Sequence, residues 1–153
     1  MIRFGAAWGR GIPSPHPMNM HATQWILRIA VAGEYVGHGV YALQGKEQWV
    51  DWIERFTGME PAFALQLLHA VGYADIVIAL IILLYPVRVV LLWAAFWGFW
   101  TALIRPLMGD PIWDFIERWA NWGAPLALLF LQGWPKNARG WWKKEDAGSE
   151  GVR

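Results

Sequence analysis

Four apolar stretches alternate with short polar breaks along the chain. The first, Trp25 to Gln44, reads WILRIAVAGEYVGHGVYALQ and carries Arg28 and Glu34. The second runs from Ala62 to Leu84 and carries His69 and Asp75. The third, Val87 to Ile104, is apolar after Arg88, and the last is free of charge from Trp119 to Trp134. A helix crosses a bilayer core of about 30 Å with about 20 apolar residues. No stretch stays uncharged over the roughly 18 residues that would mark a span by itself, so the membrane expectation rests on the sum of the four. As a soluble bundle, VIALIILLYPVRVVLLWAAFWGFW would have almost no polar face to show water. The pattern predicts an all-α fold, an integral-membrane four-helix bundle with spans near 25–44, 62–84, 87–104 and 112–134. An N-terminal arm (1–24) and a basic tail (135–153) flank it.

Punctuation supports these boundaries. Pro61 stands where the first turn of the second span begins, a position that tolerates a missing N–H. Pro86 leaves only a tight turn between spans two and three, and Gly109-Asp110-Pro111 breaks the chain before the last. The IPSPHPMNM segment reads as an extended arm, and Gly148 onward reads as a disordered tail. Between spans one and two, Trp49, Trp52, Ile53 and Phe56 recur at i, i+3, i+4, i+7. Glu47, Asp51, Glu54 and Arg55 fill the other face. This is a short amphipathic helix, which either lies on the outer membrane surface or caps the bundle and covers something inside it.

Composition sharpens the picture. Of the 13 tryptophans, Trp25, Trp49, Trp52, Trp100, Trp113, Trp119 and Trp134 cluster near the expected interfaces, as in an aromatic belt. Charged residues make up 16% of the chain, against about 25% in an ordinary soluble domain. A net charge of +1 gives no footprint for nucleic acid. With no cysteine, a disulfide framework, a Cys-held iron–sulfur cluster and a thiolate nucleophile are excluded. Nine basic residues (Arg3, Arg10, Arg28, Arg88, Lys136, Arg139, Lys143, Lys144, Arg153) fall on one side of the expected membrane and four (Lys46, Arg55, Arg105, Arg118) on the other. The positive-inside rule then places both termini in the cytoplasm. No signal-peptide apolar region is expected in the arm.

Ionisable side chains within spans are costly and tend to face a bundle interior. Glu34, His38 and Tyr41 follow i, i+4, i+7 on one stripe of the first helix. His38 and His69 fall at a matched depth of about 9–11 Å below the outer interface, with Glu34 and Asp75 deeper, at about 15–20 Å. Arg105 shares a stripe with Trp97 and Thr101, and Asn121 opens the last helix on the same side. Gly33, Gly37 and Gly39 leave room for a neighbouring helix or a flat ligand. Three readings stand for this cluster. The groups satisfy one another and fix helix register; or they form a quinone or other redox pocket, with His38 or His69 donating and Glu34 or Asp75 relaying a proton; or His38 and His69 ligate a metal or haem b. His16 and His21 lie outside the spans and suit surface roles. No Walker, Rossmann, G-x-S-x-G or H-E-x-x-H pattern occurs.

Three motifs resemble the DoxX-like family of small four-span bacterial membrane proteins. Leu27-Arg28 followed by His38-Gly39 is similar to its L-R…H-G-x-x-K pattern. Gly72-Tyr73-Ala74-Asp75-Ile76 with its aliphatic run resembles the family's G-x-x-E segment, and Arg118-Trp119-Ala120-Asn121-Trp122 its last helix. Ala42 stands where the family has lysine and Asp75 where it has glutamate, so a carboxylate role carries over and a lysine role does not. The resemblance covers about residues 24–134. It implies a compact bundle in the bacterial cytoplasmic membrane and association with redox complexes, a thiosulfate:quinone oxidoreductase subunit among the relatives. The expected function is therefore a small accessory or anchor subunit of a redox or respiratory-type complex, partnered by lipid and other membrane subunits. Alternatives are a quinone- or haem-binding oxidoreductase component built on His38, His69, Glu34, Asp75, Arg105 and Tyr41, and a small-molecule transporter.

Overall fold

The computed structural model describes residues 19–143. The proline arm as far as Met18, His16 within it, lies outside the described residues, as does the tail from Lys144, including the segment from Gly148; the arm's last two residues, Asn19 and Met20, cap and open the first helix. The Asn19 side chain accepts a hydrogen bond from the Ala22 N–H at 3.1 Å. This satisfies one of the orphan donors of a helix start, so the first helix, α1 (Met20–Leu43), begins ahead of Trp25. There follow α2 (Glu47–Thr57), α3 (Pro61–Leu84), α4 (Arg88–Leu107), α5 (Ile112–Ile116), α6 (Trp119–Leu131) and a 3₁₀ turn (Ala138–Trp142). Among the described residues there is no strand, and the fold is all-α. Gly58 closes α2 at φ 72°, a left-handed cap that a β-carbon would strain.

The stretch expected as one span from residue 112 is two helices. At Arg118 the backbone (φ −98°, ψ 14°) leaves the α-helical region. The Arg118 side chain folds back to donate to the Asp114 carbonyl at 2.6 Å and to Glu117, which stabilises the turn. Farther on, Pro125 lacks the N–H that would bond the Asn121 carbonyl. That freed carbonyl lies against Gly98 of α4: a β-carbon at Gly98 would come within 2.5 Å of the Asn121 oxygen. A glycine is needed for this approach.

Around the bundle the order is α3, α1, α6, α4, because α1 packs against α3 and α6 and α4 packs against α6. Gly39 and Gly72 meet at the α1–α3 crossing, where a β-carbon on either would fall 2.9 Å from a neighbouring atom. Gly33 and Gly37 are not part of any such contact and are exposed. Although α3 and α4 are joined by a tight turn, they touch little.

The two ends of the bundle differ. Toward the α3–α4 turn lies the packed core, with Val31, Tyr35, Ile82, Leu91, Leu128 and Leu129 almost fully buried. Polar groups there are tied to backbone carbonyls. The Tyr35 hydroxyl donates to Ala94 at 3.0 Å, Arg28 Nε to Ile82 at 3.2 Å, and Gln132 Nε2 to Pro86 at 3.1 Å. Arg88 donates to the carbonyls of Gln132 (2.6 Å), Gly133 (3.0 Å), Gly140 and Lys143 (both 3.1 Å). The first part of the basic tail is thereby docked, with Trp141 packed on the core.

Two helices, α3 and α4, are long and apolar enough to cross a membrane. Only 28% and 33% of their most apolar windows are buried inside the protein, so most of that apolar surface faces outward.

Candidate functional site

The α2 end of the bundle is hollow. Where α3 and α4 diverge, a cavity of about 290 Å³ opens between α1, α3, α4 and the start of α6, with α2 laid across it. The amphipathic pattern of α2 explains its position. Trp49, Trp52, Ile53 and Phe56 all line the cavity, while Asp51 and Arg55 remain exposed. Of the two placements open to that helix, the structure shows the cap.

Aromatic contacts fasten the roof. Trp52 is buried at 8% exposure, and the Arg105 guanidinium carbon lies 5.2 Å from its ring centroid. Phe56 meets Trp100 edge-on at 5.8 Å, and Trp49 meets His38 at 5.7 Å. Lys46, just before α2, places its ammonium 4.9 Å from the Trp49 ring and 5.0 Å from that of Tyr41. Partial burial, then the nearby Arg105 and Arg118 charges, hold the Lys46 pKa below the ordinary lysine value.

The walls are mostly aliphatic and aromatic, with a few polar groups converging between them. On α3, Asp75 is 4% exposed and lies within hydrogen-bonding reach of the Trp97 side chain. On α4, Trp97, Thr101 and Arg105 line one wall, the stripe expected from their spacing. The Thr101 hydroxyl is turned back to the Trp97 carbonyl at 3.0 Å, which leaves its methyl group for the apolar wall. His38, Arg118 and Asn121 complete the polar lining.

The structure divides the sequence-derived residues. His38, Asp75 and Arg105 share the cavity. Glu34 stands behind His38, one turn away, its carboxylate 3.9 Å from the imidazole; this is a contact rather than a hydrogen bond. One Glu34 oxygen is buried without a hydrogen-bond partner. Tyr41 is 53% exposed and touches the roof from outside through Trp49. His69 does not line the cavity: it sits by the α1–α2 turn, where a β-carbon on Gly45 would be 3.9 Å from its Nε2. No hydrogen bond or ring contact joins His69 to His38. Among the described residues, no group of three or more His, Asp or Glu side chains converges as a metal site. The roof itself was not among the sequence-derived site residues, although the spacing of Trp49, Trp52, Ile53 and Phe56 was the signal for it.

Such an arrangement suits binding of an apolar molecule with one or two polar groups. Small-molecule sites are mostly apolar hollows with a few convergent polar groups, commonly about 300–1,000 Å³. Searches against family models, curated proteins and solved structures find no match to this chain.

Proposed function

We propose that this chain is a four-span integral-membrane protein that holds a lipophilic small molecule in an outer-leaflet cavity, as an accessory component of a redox-type membrane complex. The observation that carries the reading is the roofed cavity, apolar throughout its walls yet furnished with His38, Asp75, Arg105 and Asn121. Its membrane setting is supported by the outward apolar surface of α3 and α4, by α1 and α6 packed beside them, and by Ile26, Ile29 and Phe130, each at least 59% exposed. The 13 residues of α6 extend about 20 Å, so α5 and the segment after α6 complete the fourth crossing. The excess of basic residues at the α3–α4 turn and the termini places that end in the cytoplasm and the cavity in the opposite leaflet.

A quinone is the ligand that the redox resemblance implies. Its carbonyls would accept hydrogen bonds from Arg105 or His38, and Glu34 behind His38 gives a proton an onward acceptor. The test is titration of the full chain in nanodiscs with a short-chain quinone, read by quenching of tryptophan fluorescence. Trp49, Trp52, Trp97 and Trp100 all line the cavity. Saturable quenching that is abolished by filling the cavity with Val71→Trp supports the reading. Linear quenching of equal size in both proteins, the signature of partition into lipid, overturns it.

A further inference from the structure

The arginines of the bundle are unequally satisfied. Arg28, Arg88 and Arg118 each donate to backbone carbonyls, and Arg118 also meets Glu117. Arg105 does neither. It is only 9% exposed, its Nε is buried without a hydrogen-bond partner, and among the described residues no carboxylate stands within ion-pair distance. Asp110, Asp114 and Glu117 act on it from farther away. The guanidinium carbon lies over the Trp52 ring, and Arg105 lines the cavity.

A buried charge without a partner is expensive, and a guanidinium edge is shaped to receive a carboxylate or phosphate through two parallel N–H donors. Two further cations share this end of the cavity: Lys46 and Arg118 act electrostatically on His38 together with Arg105, while the opposing carboxylates Asp110, Asp114 and Glu117 form no ion pair with Arg105. Asp75 does not oppose an anion there. It lies beside Trp97, eight residues before Arg105 on α4, and so about 12 Å deeper. Between the two the wall carries Thr101 and, at the level of Gly98, Asn121 among apolar side chains. Leu67 on α3 lines the cavity and is 40% exposed.

We infer that this cavity selects, in preference to the neutral quinone that the resemblance implies, a single-chain anionic amphiphile, its carboxylate or phosphate head received by Arg105 beside Trp52 and its chain laid along the apolar walls of α3 and α4. This rests on the cavity being a lipophilic site, as proposed above. It adds that the site selects by charge. The volume of about 290 Å³ suits one chain of moderate length rather than a two-chain phospholipid.

The full chain in nanodiscs is titrated with decanoate, decyl phosphate, decanol and decyltrimethylammonium, each read by saturable tryptophan quenching. Decanoate or decyl phosphate, or both, binds at least about tenfold more tightly than decanol, with the ammonium compound weakest; the ratio of the two anions identifies the head group. Raising salt narrows the gap. Arg105→Gln brings decanoate and decanol within about twofold of each other, whereas Arg105→Lys keeps the anion ahead. If either variant fails to assemble, the four ligands on the unmodified chain still decide. Equal binding of decanol and both anions overturns the charge selection while leaving a lipophilic site in place. Absence of saturable binding by all four overturns the anionic-amphiphile reading, and the quinone titration decides separately whether the site is lipophilic.

Discussion

Arg105 and Trp52, on helices separated in sequence by all of α3, form a cation–π contact: the guanidinium carbon lies 5.2 Å from the centre of the indole. One side chain ends a bundle helix and the other is the buried centre of the roof, so this pair ties α2 to α4, while α2 packs chiefly along α3. Cation–π contacts contribute about 0.5–2 kcal/mol according to how dry they are. A buried tryptophan adds its apolar area to that.

Trp52→Ala is expected to cost about 3 kcal/mol and to free α2 while the bundle below stays helical. Thermal unfolding in detergent checks the first effect, and limited proteolysis at the α2 boundaries near Gly45 and Gly58 checks the second. Unchanged protection of those glycines would show that Phe56 and Trp49 suffice to hold the roof.

Two glycine-to-alanine changes should have opposite signs. At Gly98 the new methyl would meet the Asn121 carbonyl backbone, which cannot swing aside, and a loss of about 1–3 kcal/mol follows. At Gly37 nothing lies within 4 Å, so Gly37→Ala should be neutral or gain about 0.5–1 kcal/mol from helix propensity. Midpoints of chemical denaturation for the two variants, compared in the same detergent, decide this.

Arg88→Ala removes four donors to carbonyls of the C-terminal segment. A loss of about 2–3 kcal/mol is expected, confined to residues after α6. Hydrogen exchange should quicken across residues 133–143 and stay slow in α3. Arg88→Lys should restore little, since a single ammonium cannot span carbonyls placed for a planar fork.

The absence of cysteine makes topology directly measurable. Glu47 and Arg139 are both exposed and lie at opposite ends of the bundle. In intact cells a membrane-impermeant maleimide is expected to label Glu47→Cys, and to label Arg139→Cys only after permeabilisation. The reverse pattern would invert the orientation argued from charge.

Much of the architecture was legible in the order of residues. The apolar stretches, the prolines at 61 and 86 and the four-position repeat of α2 are local signals, because helix periodicity and backbone stereochemistry act over a few residues. The same was true of the stripe Trp97–Thr101–Arg105. The break at Arg118 was less visible, since it depends on a side chain bonding back onto its own preceding turn.

Pairing across the bundle was decided only by the tertiary structure. Depth along a helix follows from counting at 1.5 Å per residue, and by depth His38 and His69 are equals. Facing depends on how each helix rotates to bury its neighbours, and the Gly39–Gly72 crossing leaves His38 on the cavity and His69 outside it. Whether α2 would lie on a membrane or close a hollow was likewise beyond a pattern that is apolar on one face in both cases. The hollow lies where α3 and α4 touch little, and the roof rests there packed on α3 with Trp52 against a buried arginine. Sequence alone determined the helices and the side chains available to a site; packing determined which of them meet.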